Sequence, residues 1–157
     1  MTDLLPLLQD FYRDKLAELL RHEAGARLVG QYDANNTYQY IIGREETQLS
    51  WVGHAILDLG GQAPESSPAA QPASRDSRAI FEGDAKAAQA FVDRWRARVD
   101  AMANARHRNM LSIILGETLE QKRFFEQALA GDLDLLGRRP DHTGARVGSV
   151  MSTRWIE

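Results

Sequence analysis

Cysteine is absent from the 157-residue chain, which excludes a disulfide framework, a thiolate zinc site, an iron–sulfur cluster and a cysteine nucleophile. Any metal must therefore be held by oxygen or imidazole ligands. An excess of positive charge is also lacking: the net charge is −3 and the pI is near 5.8, so no overall field attracts nucleic acid. No apolar run approaches the ~20 residues of a membrane span, and the first residues lack the basic cluster of a signal peptide. We expect a cytoplasmic protein with no nucleic-acid partner and no membrane partner.

Apolar residues make up 43% of the chain and charged residues 26%, a balance typical of one globular domain, here residues 1–157. Four stretches carry apolar residues at three- and four-residue steps, which predicts four amphipathic helices within a core of about residues 3–131. The first stretch runs from Asp3 to about Gln31, and its predicted stripe consists of Leu5, Leu8, Tyr12, Leu16, Leu19 and Ala26. A turn at residues 32–36 leads to the second, from Tyr38 to Leu59.

Residues 60–77 contain three prolines and four serines and have too few apolar residues to enter a core, so they predict a long loop. The third helix is predicted from about Gly83, with a stripe of Ala85, Ala88, Phe91, Trp95, Val99 and Met102. Asn104 marks the break before a fourth helix that ends near Gly131. The predicted fold is all-α: a four-helix bundle of two helical hairpins joined by the loop.

Residues 132–157 form a tail that is rich in glycine and arginine but ends with the apolar residues Val150, Met151, Trp155 and Ile156. Exposing these side chains to water is costly, and a small bundle has little free groove to receive them. The tail therefore predicts a homodimer in which it packs on the neighbouring subunit.

Three glutamates fall within the predicted apolar stripes: Glu23 on the first helix, Glu45 on the second and Glu117 on the fourth. A buried carboxylate is unfavourable unless it is paired or binds a metal. Counting ~1.5 Å per residue from the turns places all three near the middle of the bundle. They are thus expected to converge there.

With these glutamates on two hairpins, residues 3–131 resemble the ferritin-like superfamily, in particular its rubrerythrin-like and bacterioferritin-like members. Such proteins bind two irons or manganeses with one Glu from each of two helices and a Glu-x-x-His pair from each of the others. The resemblance implies that Glu23 is the lone ligand of the first helix and that Glu45 opens the pair of the second. Glu117 or Glu120 would open the pair of the fourth.

Both histidines of that pattern are missing. The residue three after Glu45 is Gln48. On the fourth helix, the residue three after Glu117 is Glu120, and the residue three after Glu120 is Arg123. The remaining ligands are oxygens, which suit manganese, magnesium or calcium better than a mixed oxygen and imidazole site would. The first hypothesis is therefore a ferritin-like protein that binds one or two divalent metals, iron or manganese, through Glu23, Glu45, Glu117 and Glu120.

The alternative is a metal-free bundle that acts as a homo-oligomeric interaction protein or binds a small molecule in its core. Aromatic residues predicted to line such a pocket are Tyr12, Tyr38, Trp95 and Phe124. The histidines are interpreted as surface or satisfied residues, and Trp95 within the basic run at residues 94–98 as a core residue. No nucleophile, nucleotide or dinucleotide motif occurs, so the sequence assigns no reaction to the chain.

Overall fold

The computed structural model describes residues 3–65, 72 and 74–131, and it places four helices there: α1 (Leu4–Ala26), α2 (Tyr32–Asp58), α3 (Ser77–Asp100) and α4 (Ala105–Leu129). α1 packs mainly on α2 and α3 mainly on α4, while α1 with α3 and α2 with α4 complete the bundle. The predicted all-α four-helix bundle of two hairpins is confirmed. The tail at 132–157 and part of the 60–77 loop lie outside the described residues.

Side chains at the helix starts explain where three of the helices begin. The side-chain oxygens of Gln31, Asp76 and Asn104 accept hydrogen bonds from backbone N–H groups three residues later, in α2, α3 and α4. The break predicted at Asn104 is confirmed. α2 begins earlier than predicted, because the cap at Gln31 lets residues 32–36 join the helix instead of forming a turn. α1 correspondingly ends at Ala26, before the predicted Gln31.

Contacts between helix ends give the direction of each helix. Gln9 Nε2 donates to the Gln62 carbonyl at 3.0 Å, so α2 ends beside the start of α1. The start of α3 lies at the opposite end, because a side chain added at Gly25 would meet Ile80 at 3.1 Å. Arg78 of α3 donates to the Leu129 carbonyl at 2.9 Å, so α4 ends where α3 begins. α1 and α4 therefore point one way, α2 and α3 the other, and the chain between α2 and α3 joins opposite ends of the bundle.

Two apolar clusters fill the bundle. The lower cluster, next to the start of α1, includes Leu8, Phe11, Val52, Phe91, Trp95 and Leu111. The upper cluster, next to the α1–α2 turn, includes Val29, Tyr38, Ile41, Ile80, Phe81 and Phe125. Trp95 is 2% exposed, which confirms it as a core residue. Among the helices described, none has the length and apolarity needed to cross a membrane.

Candidate functional site

Between the two apolar clusters, the interior of the bundle is polar. Seven buried side chains from α1, α2 and α4 form what we call the ionic layer: Lys15, Glu18, His22, Glu45, Gln48, Thr118 and Gln121. Within each helix they are spaced by three or four residues, so each set shares one helix face. Phe91 and Ala88 of α3 are buried as well. The layer is thus a polar band between the two apolar clusters.

Glu45 lies at the centre of the ionic layer and is fully buried. His22 Nδ1 lies 2.5 Å from its Oε1, and Lys15 Nζ lies 3.2 Å from its Oε2. Burial by itself raises the pKa of Glu45, but His22 and Lys15 outweigh it and hold the pKa below its ordinary value. Burial lowers the pKa of His22, and Glu45 reverses this, so the net direction is upward. Both shifts favour an ionised Glu45 beside a protonated His22.

Lys15 is the second cation of the layer, and its side chain is 1% exposed. In addition to its ion pair with Glu45, its ammonium group donates to Thr118 Oγ1 at 3.1 Å and lies 5.1 Å from the centre of the Phe91 ring. The Thr118 hydroxyl donates to the Ile114 carbonyl at 2.8 Å, which leaves its lone pairs to accept from Lys15. One lysine therefore links α1 to each of the other three helices.

Glu18 is the other acidic member of the layer. Burial raises the pKa of Glu18, and the nearby His22 and Lys15 only partly oppose this, so the net direction is upward. The layer thus combines a carboxylate that is held ionised, Glu45, with one that resists ionisation.

A second buried network adjoins the layer. The Tyr38 hydroxyl donates to Asp84 Oδ2 at 2.5 Å, and Arg21 Nε donates to Asp84 Oδ1 at 2.7 Å. Burial, followed by the Asp84 charge, raises the pKa of Tyr38 far above its ordinary value, so Tyr38 stays a hydrogen-bond donor. Its ring packs edge-on against His22 at a centroid distance of 6.2 Å. Since Arg21 is about half exposed, this network extends from the ionic layer towards the surface.

Of the four carboxylates predicted as metal ligands, only Glu45 belongs to the ionic layer. Glu23 is half-buried, and it is its neighbour His22 that reaches Glu45. Glu120 is exposed and forms an ion pair with Arg123 at 2.5 Å. The expected mid-bundle meeting of Glu23 with Glu45 is therefore replaced by an ion pair between His22 and Glu45.

Glu117 is half-buried at the contact between α2 and α4. Arg44 donates to both of its oxygens at 2.9 Å, and Gln48 Nε2 donates to Oε1 at 3.1 Å. The bidentate hydrogen bonds with Glu117 raise the pKa of Arg44. Glu117 is thus paired across the helix contact and faces an arginine.

These placements decide whether the residues suit the metals that the resemblance implies. In residues 3–65, 72 and 74–131, no three or more His, Asp or Glu side chains are grouped as metal ligands. The carboxylate at the centre has a lysine ammonium on one oxygen and His22 on the other. The donor set does not fit a site for two irons or manganeses.

The predicted stripe of α1 misses most of the ionic layer. The buried face of this helix passes through Leu8, Phe11, Lys15, Glu18 and His22. Leu8, Leu19 and Ala26 of the predicted stripe are buried, but Tyr12 and Leu16 are only partly buried, so the buried face is turned from the predicted stripe towards Phe11 and Lys15. The steps from Leu8 to Phe11, Lys15 and His22 have helical spacing, which is the signal in the sequence that could have located the layer. Three of the five residues are charged or titratable, and such residues are seldom buried.

A small cavity lies in the upper cluster. Its volume is about 10 Å³, and its lining consists of Ala34, Thr37, Tyr38, Phe81, Phe124, Phe125 and Ala128. Two of the predicted pocket aromatics, Tyr38 and Phe124, line it, whereas Tyr12 and Trp95 do not. A space of this size holds about one water molecule and no organic ligand.

Comparisons with known proteins do not assign this chain to a family: no family model matches it, and no curated protein matches it. The ionic layer and the surface of the bundle are thus the features from which a function can be inferred.

Proposed function

We propose that this protein is a metal-independent, ferritin-like bundle that acts as an interaction protein and whose first partner is a second copy of itself. The observation that carries the proposal is the position of Lys15 Nζ, 3.2 Å from Glu45 Oε2 inside the ionic layer. The Lys15 ammonium group occupies the position beside Glu45 that a metal bound to this carboxylate would need. This favours the metal-free reading of the bundle.

Electrostatics supports the metal-independent half of the proposal. Two unit charges 4 Å apart interact by about 4 kcal/mol at an effective dielectric constant of ~20, so a divalent ion at that distance from both groups meets about 8 kcal/mol of repulsion from Lys15, which cancels its attraction to Glu45. Protonated His22, which holds the other oxygen of Glu45, adds a second repulsive term. Glu117 cannot offset these terms, because Arg44 takes both of its oxygens.

The path of the chain supports the ferritin-like half. A bundle with one long crossover connection is the arrangement of ferritin-like folds, and the segment between α2 and α3 is such a connection. A shared fold carries no activity with it. A bundle without a set of metal ligands can act through its surface.

Apolar side chains on the bundle surface support an interaction role. Tyr32 is 79% exposed, Leu57 61%, Ile113 54% and Leu59 41%. Ile113 lies one helical turn from Met110, which is only partly buried against the lower cluster together with Trp51. Exposed apolar side chains of this kind are candidate contacts for a protein partner. The apolar end of the tail, which lies outside the described residues, is the other expected part of a homodimer interface.

Metal content tests the first half. Protein purified without chelator and loaded anaerobically with iron or manganese is expected to retain much less than one metal per chain, measured by elemental analysis after desalting. Glu45→Gln is expected to leave this background unchanged. Stoichiometric retention that Glu45→Gln abolishes would refute metal independence and restore the metal-binding hypothesis.

Molar mass tests the second half. We expect a dimeric mass in light scattering for the full chain, and a monomeric mass both for Ile113→Lys and for a chain truncated after Gly137. Gln39→Lys is the matched control, since Gln39 is an exposed polar residue on α2 and should leave the dimer intact. A full-length chain that is monomeric at all concentrations would contradict self-association.

A further inference from the structure

The surroundings of Lys15 Nζ have a chemical character of their own. It contacts three groups, each from a different helix: an anionic oxygen of Glu45, the hydroxyl of Thr118 and the aromatic face of Phe91. α1 supplies the lysine and, one turn along, the buried Glu18 nearby. The three groups in contact with the ammonium itself, which form the walls of this position, belong to α2, α3 and α4.

These walls suit an ammonium group. A primary ammonium has three N–H donors and a single charge, which match two oxygen acceptors and one ring face. Manganese or iron would need several more oxygen or imidazole ligands, and a phenyl ring supplies none. The position therefore favours an ammonium group over a divalent metal by its contact groups as well as by its charge.

We propose that the centre of the ionic layer is an ammonium site, which binds a primary alkylammonium in preference to a divalent metal and which this chain fills with its own Lys15. The inference rests on the metal-independent half of the proposed function. It goes further by naming the class of cation that the position selects.

The walls are held in place without Lys15. His22 remains hydrogen-bonded to one oxygen of Glu45, and the Ile114 carbonyl still accepts a hydrogen bond from the Thr118 hydroxyl. Lys15→Ala removes Cγ, Cδ, Cε and Nζ, which together correspond in size and charge to n-propylammonium. The variant is therefore expected to bind that ion from solution at the position that Lys15 has left.

Thermal unfolding of Lys15→Ala in increasing n-propylammonium chloride tests the proposal. We expect a Tm below that of the wild type and a saturable recovery with the amine. A tenfold excess over Kd raises the folding equilibrium constant about 11-fold. Tetramethylammonium chloride at the same ionic strength, which has no N–H donors, and manganese chloride should give no saturable rise. Neither the wild type nor Lys86→Ala, which removes an exposed lysine paired with Glu82, should respond to the amine.

Equal recovery by tetramethylammonium, or a larger recovery by manganese, would overturn the ammonium site while leaving the metal independence of the wild type intact. Metal retention by the wild type would instead overturn the proposed function, so the two failures are distinguishable. If Lys15→Ala does not fold at any amine concentration, Lys15→Met decides, because it keeps the side-chain volume and removes only the ammonium group. A Tm for Lys15→Met equal to that of the wild type would show that the site needs no ammonium, whereas a lower Tm that Glu45→Gln partly restores supports the proposal.

Discussion

Glu45→Gln removes the one negative charge that both cations of the ionic layer contact. The amide keeps the shape of the side chain, so no cavity forms. Lys15, which is 1% exposed, and His22, which is 3% exposed, then lose their common counter-charge in an interior that water does not reach. The change therefore isolates the charge itself.

Breaking a buried ion pair by removing one partner costs about 3–5 kcal/mol, because the remaining charge stays buried. Here two cations remain, although His22 can release its proton and leave Lys15 as the main cost. We expect a loss of about 3–5 kcal/mol in the free energy of unfolding, a large part of the ~5–15 kcal/mol typical of a domain. Glu120→Gln is the matched control, since its exposed pair with Arg123 should contribute less than about 1 kcal/mol.

Urea unfolding followed by far-UV circular dichroism measures both variants, with the m value expected to stay unchanged. The double variant Lys15→Met with Glu45→Gln should lose less free energy of unfolding than the two single variants lose together, since it removes both members of the pair. A loss below about 1 kcal/mol for Glu45→Gln, or an equal loss for Glu120→Gln, would refute the view that Glu45 is the counter-charge of the layer.

Three further outcomes follow from the buried groups. The pKa of His22 is raised from 6.5 and that of Glu45 is lowered from 4.5. The stability that His22 contributes should thus be complete below pH 6.5 and should be lost as the pH rises through the folded-state pKa of His22. The stability that Glu45 contributes should be lost as the pH falls through the folded-state pKa of Glu45. Glu18, with a raised pKa, adds to the loss with rising pH, and urea midpoints that are flat on the alkaline side would contradict this. Tyr38→Phe, which removes a buried hydrogen bond to a carboxylate, should cost about 1.5–3 kcal/mol in urea unfolding, and a neutral effect would show that bond to be unimportant. Phe11→Ala, at a fully buried ring of the lower cluster, should lower the free energy of unfolding by about 3–5 kcal/mol; a loss below about 1 kcal/mol would mean that the core closes over the cavity.

Local rules in the sequence predicted much of the fold. The number and type of the helices follow from the apolar period, and the break at Asn104 follows from the capping chemistry of its side chain. The burial of Glu45 and Trp95 was predictable for the same reason, because each lies between apolar residues one turn away. These features depend on neighbours within about four residues along the chain.

The partners of the buried carboxylate were decided only by the tertiary structure. A carboxylate on an apolar stripe requires a cation, but whether the cation is a metal or a side chain depends on residues far away in the sequence. Lys15 meets Thr118, 103 positions along the chain, and Arg44 meets Glu117, 73 positions along. The rotation of α1 about its axis, which buries Lys15 and His22 while Tyr12 and Leu16 are only partly buried, is set by packing against α2 and α3 and by the contact of Lys15 with Thr118 of α4. Sequence periodicity thus located a buried charge, and only the arrangement of the four helices determined that the chain neutralises it with its own lysine and histidine.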